Sequence, residues 1–64
     1  MKINGHKLME IRQEKKITRA DVGAVAGVTH VRIWQIEQNE SSNINPIVLK
    51  AIAKKLGVKP EELQ

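Results

Sequence analysis

The chain has no cysteine and only 64 residues, which limits the ways in which it can be stabilised. A chain of about 60 residues buries only about 60% of the surface that its unfolded form exposes, so small domains often depend on disulfides or metals. Disulfides are impossible here, and His6 and His30 are too few and too far apart to predict a zinc site. We therefore expect close packing of aliphatic side chains, helped by oligomerisation, because 41% of the residues are hydrophobic and only 2% are aromatic.

Positive charge is concentrated in the first half of the chain. Residues 1–32 carry seven lysines and arginines against three acidic residues, whereas residues 33–64 carry four of each kind. A basic half beside a neutral half predicts an anionic partner, nucleic acid or membrane; the alternative is that the charge serves only solubility. No apolar run approaches the length of a signal peptide or transmembrane segment, so we expect a cytoplasmic protein that does not associate with membranes.

Start and stop signals for helices predict a single all-α domain over residues 1–64, a compact bundle of four to five short helices. Strand signals are lacking. The expected helices run from the cap Asn4 to about Lys16, from the cap Thr18 to Gly27, from the cap Thr29 to a polar loop at 39–43, and from Asn45 and Pro46 to Gly57. Val58, Lys59, Pro60 and Leu63 have the pattern that starts a further short helix at the C-terminus. The side chains expected to face inward are aliphatic: Leu8, Ile11, Val22, Val25, Ala26, Ile33, Ile36, Leu49, Ile52, Ala53 and Leu56.

The stretch from Arg19 to Gln38 has the spacing of two helices joined by a tight turn. Gly27 supplies a positive φ in that turn, and Gly23 has no side chain where the two helices cross closely. Together with the flanking segments 8–12 and 49–58, this stretch resembles the lambda repressor/Cro-like (XRE) family of helix-turn-helix transcription regulators. The resemblance covers roughly residues 5–63, with the helix-turn-helix at about 18–38, and implies binding of double-stranded DNA.

In that family the third helix enters the major groove of DNA. The resemblance therefore implies three base-reading residues, His30, Val31 and Gln35, and Trp34 on the flank of the same helix is a fourth candidate. Gln35 can pair with N6 and N7 of adenine, and Val31 can contact a thymine methyl group. Trp34 has an open alternative, which is packing against the following loop or against another subunit.

Phosphate contacts are expected near the starts of helices, where free N–H groups favour anions. The candidates are polar or basic: Thr18, Arg19, Thr29, Arg32, Gln38 and Asn43. Arg19 stands where the family often has Gln, and the loop before the fourth helix lacks the basic residues often found there. The resemblance also implies a buried ion pair between Arg12 and Glu37, whereas Lys50, Lys54 and Lys55 are expected to form a solvated helix face.

The predicted function is a sequence-specific repressor that binds a palindromic operator as a homodimer. By resemblance, the dimer surface comprises Ile47, Val48, Ala51 and Leu63. The alternative is an antitoxin-like or antirepressor-bound interaction module, which would dock a regulatory protein on a face formed by Val31 and Trp34. We expect no enzyme, cofactor, metal or small-molecule substrate, because the sequence lacks a nucleophile–base pair, metal-ligand spacing and a phosphate loop with lysine.

Overall fold

The computed structural model describes residues 1–64 and is dominated by four α-helices. The elements follow the order β1 (Lys2–Ile3), α1 (Gly5–Glu14), α2 (Arg19–Ala26), α3 (His30–Glu37), β2 (Ser42–Asn43), α4 (Pro46–Leu56) and a C-terminal 3₁₀ helix (Pro60–Leu63). The prediction of a small helical bundle is confirmed. None of the helices is both long and apolar enough to cross a membrane.

The four predicted N-caps form as the sequence indicates. The Asn4 side chain accepts hydrogen bonds from the N–H groups of residues 6 and 7, at 3.0 and 3.1 Å. Thr18 and Thr29 each accept one bond of 3.1 Å from the N–H three residues on, and Asn45 accepts one of 2.8 Å. These side chains satisfy N–H groups that have no partner inside their helices, so each helix begins where its cap requires.

The first helix ends earlier than predicted. It stops at Glu14, and Lys16 takes a left-handed conformation with φ of 57°. The N–H of Ile17 then bonds to the carbonyl of Arg12 at 3.0 Å, which closes the helix end and leaves Ile17 half-buried against the core. The chain is thereby turned toward the cap of α2.

A short antiparallel ribbon joins β1 to β2, although the sequence predicted no strand and a loop at 39–43. Lys2 lies opposite Asn43, and Ile3 lies opposite Ser42. The N–H of Ile44 extends the ribbon by a 2.7 Å bond to the carbonyl of Met1. Strands of two residues are too short to show an alternating pattern, so the sequence could not predict this pairing, which places Ile3 in the core.

The core is aliphatic, as the composition predicts. Eleven hydrophobic residues are buried: Ile3, Leu8, Val22, Ile33, Ile36, Ile44, Leu49, Ile52, Ala53, Leu56 and Leu63. The prediction that Val25 faces inward is wrong, because its side chain is 50% exposed. The buried side of α2 is centred on Val22 and Gly23, and Val25 lies beyond its edge.

Gly5 fixes the contact between α1 and α3. Its N–H bonds to the carbonyl of Asn39 at 3.1 Å, and a Cβ at this position would overlap the carbonyl oxygen of Ile36. Only glycine lets the start of α1 abut the end of α3 so closely. This contact holds α3 against the body of the domain.

Candidate nucleic-acid interface

The turn between α2 and α3 sets the position of the candidate interface. Gly27 has φ of 71°, and the N–H of Val28 bonds to the carbonyl of Gly23 at 3.0 Å. A Cβ on Gly23 would lie only 2.6 Å from the carbonyl oxygen of Val28. Both glycines therefore serve the roles that the sequence pattern predicted, and the turn is tight because neither carries a side chain.

One side of α3 is buried and the other is exposed. Ile33, Ile36 and Glu37 face the domain interior, each at most 1% exposed. The opposite side carries residues at the i, i+3, i+4 and i+7 positions, which form one face of a helix. We call this face the α3 stripe: Val31, Trp34, Gln35 and Gln38.

The structure brings the proposed base-reading residues together. Val31, Trp34 and Gln35 lie on the α3 stripe, and His30 is exposed one helical turn before Trp34. Val31 is 50% exposed and Trp34 is 48% exposed. The chain itself thus covers only about half of the indole, and the remaining surface is open to a partner.

Behind the stripe, Glu37 binds two arginines at once. Arg12 donates to both carboxylate oxygens, from Nε at 2.7 Å and from Nη2 at 3.2 Å. Arg19 donates from Nε to Oε1 at 2.9 Å. The Glu37 side chain is 0% exposed, so the end of α3 is tied to α1 and to the start of α2 through one buried carboxylate.

The sequence assigned only Arg12 to this cluster. Arg19 was missed as a partner of Glu37 because a pair 18 residues apart depends on the angle between helices, which no local pattern encodes. The Arg19 side chain remains 35% exposed, and its Nη atoms make no hydrogen bond within the protein. It therefore has donors to offer at the start of α2, where phosphate contact was predicted.

The other phosphate candidates are spread around the ends of α2 and α3. Thr18 and Thr29 cap these helices, which leaves each hydroxyl proton available as a donor. Arg32 and Gln38 are exposed at the two ends of α3. Asn43 lies on β2, two residues before Asn45, the cap of α4, and is also exposed.

The pairing of β1 with β2 places Lys2 beside the loop before α4, which has no basic residue of its own. Lys2 is the cross-strand neighbour of Asn43, and both residues are exposed. Nothing in the sequence connected Lys2 with this loop, because the two are 41 positions apart and the strands are too short to predict. The ribbon thus adds a positive charge that sequence reasoning missed.

The residues assigned to a dimer surface do not all lie at the surface. Ile47 is 77% exposed, and Val48 and Ala51 are half-buried along α4. The assignment of Leu63 is wrong, because this side chain is 0% exposed. The 3₁₀ helix turns Leu63 into the core, and its carbonyl accepts a 2.6 Å bond from the N–H of Asn4.

Comparison with known proteins supports a helix-turn-helix fold. The Helix-turn-helix family model matches residues 8–63, whereas a comparison with curated proteins gives no match. The P22 c2 repressor protein, solved in complex with synthetic operator 9T, is 33% identical with a TM-score of 0.82 over 95% of this chain and 91% of that chain.

Two further solved structures share the fold at lower identity. SinR, the master regulator for biofilm formation, solved in complex with DNA, is 24% identical with a TM-score of 0.81 over 95% of this chain and 97% of that chain. The restriction-modification controller protein C.AhdI from Aeromonas hydrophila is 22% identical with a TM-score of 0.80 over 94% of this chain and 89% of that chain.

Proposed function

Because this chain belongs to the lambda repressor/Cro-like (XRE) family of helix-turn-helix DNA-binding regulators, we propose that it represses transcription by binding a palindromic operator as a homodimer. The observation that carries the proposal is the α3 stripe, an exposed helical face that is held rigidly by the buried Glu37 cluster. The P22 c2 repressor, which is 33% identical, was solved on a synthetic operator.

The α3 stripe has the dimensions and chemistry needed to read a major groove. A helix with its side chains is about 10–12 Å across, and the major groove is about 12 Å wide. With α3 in the groove, Gln35 pairs with N6 and N7 of an adenine, and Val31 contacts a thymine methyl group. His30 lies at the start of α3, where it donates to a guanine or a phosphate.

Contacts with the phosphates fix the position of α3 in the groove. Arg19, held by Glu37 at the start of α2, makes the central contact. The remaining contacts come from Thr18, Thr29, Arg32, Gln38 and Asn43. The N-termini of α2 and α3 add to the attraction, because their free N–H groups and helix dipoles favour anions.

A homodimer supplies the specificity that a single helix-turn-helix lacks. One copy reads only a few base pairs, whereas two copies about 34 Å apart read half-sites separated by one turn of DNA. We propose that Ile47, the most exposed large hydrophobic residue at 77%, lies with Val48 and Ala51 at the dimer surface. Burial of this apolar group against its symmetry mate is favourable.

Selection of bound duplexes from a random pool tests the proposal directly. We expect an inverted repeat whose half-site centres are 10–10.5 base pairs apart, or a multiple, which corresponds to about 34 Å. Fluorescence anisotropy at about 50 and 200 mM salt should then show affinity falling steeply with salt, since phosphate contacts release counterions. Weak binding to every duplex with no salt dependence would contradict DNA binding; a single unrepeated half-site would contradict the dimer.

The exposed Val31 and Trp34 side chains favour a second candidate, in which the stripe docks a regulatory protein. This is the antitoxin-like or antirepressor-bound alternative. Capture of a partner from cell extract, with and without nuclease, separates the two. Retention after nuclease treatment, together with loss in Trp34→Ala, supports a protein partner; loss after nuclease supports DNA.

A further inference from the structure

An open cleft of about 460 Å³ lies between α2 and α4, away from the α3 stripe. Val25 and Ala51 form its apolar part, and Lys54 and Lys55 line the rest. Val25 is 50% exposed, and Ala51, the other apolar residue of the lining, has a small side chain. The volume falls within the range of about 300–1,000 Å³ that is typical of binding sites for small groups.

The positive charge of this cleft is not neutralised within the protein. Both ion pairs of the structure converge on Glu37, so Lys54 and Lys55 have no acidic partner. Helix α4 contains no acidic residue, and the one acidic residue of α2, Asp21, makes no ion pair with either lysine. The cleft therefore combines an apolar floor with two free ammonium groups.

A second copy of this chain is a poor occupant for the cleft, which shares only Ala51 with the dimer surface proposed above. An isologous contact centred there brings equivalent surfaces together, so the lysines of α4 would face each other or face the positive N-terminal end of the partner's α4. Both arrangements oppose positive charges. Phosphate contact also leaves the apolar floor without a partner, which argues against DNA.

We propose that this cleft docks an acidic amphipathic helix of a partner protein. One aliphatic side chain of the partner packs on Val25 and Ala51, and flanking carboxylates pair with Lys54 and Lys55. Charge complementarity identifies the chemistry of the partner, since only an acidic segment neutralises the two lysines. The contact is small, so the complex is transient and weak. The site lies on α2 and α4, so its occupancy does not depend on the proposed DNA contact of α3.

The test uses a designed helical peptide of about 15 residues, long enough for measurable helicity, with one leucine flanked by two glutamates on the same face. It is titrated into the isotope-labelled full chain, and amide chemical shifts are followed by NMR. We expect shifts centred on Val25, Ala51, Lys54 and Lys55. A peptide with glutamine in place of both glutamates serves as the ligand control.

Two charge variants make the test specific to the cleft. K54E/K55E should lower peptide affinity by about tenfold or more, since two charge pairs become repulsive. K50E is the matched control, because Lys50 is an exposed lysine of α4 that does not line the cleft; its effect should stay below about twofold, as for an exposed charge without a partner. Both variants should match the original chain in circular dichroism, which shows that the fold is intact.

Several outcomes overturn the proposal. These are the absence of peptide-induced shifts, shifts centred on the α3 stripe, equal binding of the glutamine peptide, or an equal effect of K50E. Shifts of Val25, Lys54 and Lys55 that appear with chain concentration alone would assign the cleft to a second copy; Ala51 is not used for this outcome, because it also belongs to the proposed dimer surface. Failure of DNA binding, by contrast, would leave the peptide result unaffected, so the two proposals fail separately.

Discussion

Arg19 and Glu37 are joined by a 2.9 Å hydrogen bond from Nε to Oε1, across the helix-turn-helix. Because Nε is engaged, only the Nη atoms of Arg19 are left to meet a partner outside the protein. The guanidinium group is planar and rigid, so a bond at Nε fixes the direction of the remaining donors. Glu37, itself held by Arg12, thus orients Arg19 at the start of α2.

This relationship predicts that lysine cannot replace Arg19. Arg19→Lys keeps the charge, but one ammonium group cannot keep the Glu37 bond and present a fixed pair of donors to a phosphate. We expect Arg19→Lys and Arg19→Ala to weaken binding to all duplexes alike, by about 10- to 150-fold, since a hydrogen bond to a charged group contributes about 1.5–3 kcal/mol. Anisotropy titrations against several duplexes measure this.

Lys16→Arg is a useful control for the same titrations, because Lys16 is exposed and makes no ion pair. It should change affinity by less than about twofold, as exposed charges without partners contribute little. If Arg19→Lys retained full affinity, charge alone would account for the role of Arg19, and orientation by Glu37 would be refuted.

Removing the charge of Glu37 should destabilise the whole domain. Glu37→Gln leaves Arg12, which is only 8% exposed, without a counter-charge. Breaking a buried pair in this way costs about 3–5 kcal/mol. Urea denaturation followed by circular dichroism should show a lower midpoint with an unchanged slope. Glu40→Gln, at an exposed position without an ion pair, should leave the midpoint almost unchanged; equal effects of the two substitutions would contradict a structural role for the cluster.

Gly5→Ala should also destabilise the fold, although alanine ordinarily favours helices. The added Cβ would overlap the carbonyl oxygen of Ile36 and lie 2.5 Å from that of Asn39, so α1 and α3 must separate. Overpacking of this kind typically lowers the free energy of unfolding by about 1–3 kcal/mol, and we expect the loss for Gly5→Ala to lie near the upper end of this range. Gly57→Ala, where a Cβ meets nothing within 4 Å, should cost only the strain of φ at 70°, about 1 kcal/mol. Thermal melts of the two variants measure the difference. If Gly5→Ala were the more stable of the two, α1 and α3 would be able to move apart at little cost in free energy.

The elements that the sequence predicted well are those governed by local chemistry. The caps Thr18 and Thr29 and the left-handed Gly27 act within a few residues of their own position, so their roles can be read along the chain. The residues that were misjudged depend on packing between distant segments. Val25 lies just outside the buried side of α2, and Leu63 is turned inward by a 3₁₀ helix. The pairing of Lys2 requires a ribbon of four residues.

Within the candidate interface, the same distinction holds. Helical periodicity was enough to place Val31, Gln35 and Gln38 on the exposed side of α3, because a rotation of about 100° per residue needs no tertiary information. It gave no sign that Arg19 shares Glu37 with Arg12, since that contact depends on three helices meeting at one carboxylate. Orientation of a side chain by another helix is thus the part that only the structure supplies.

Gln35 should control preference at a single base pair. A bidentate contact with adenine discriminates against other bases by about 1–3 kcal/mol, so Gln35→Ala should reduce the preference at that pair by about 5- to 150-fold. Binding to unrelated duplexes should hardly change, because phosphate contacts dominate non-specific affinity. Competition anisotropy against operators that differ at one position measures both effects. Gln13→Ala, at an exposed glutamine of α1, is the matched control and should alter neither. Equal weakening at every position by Gln35→Ala would mean that this side chain supports α3 in the groove without reading a base.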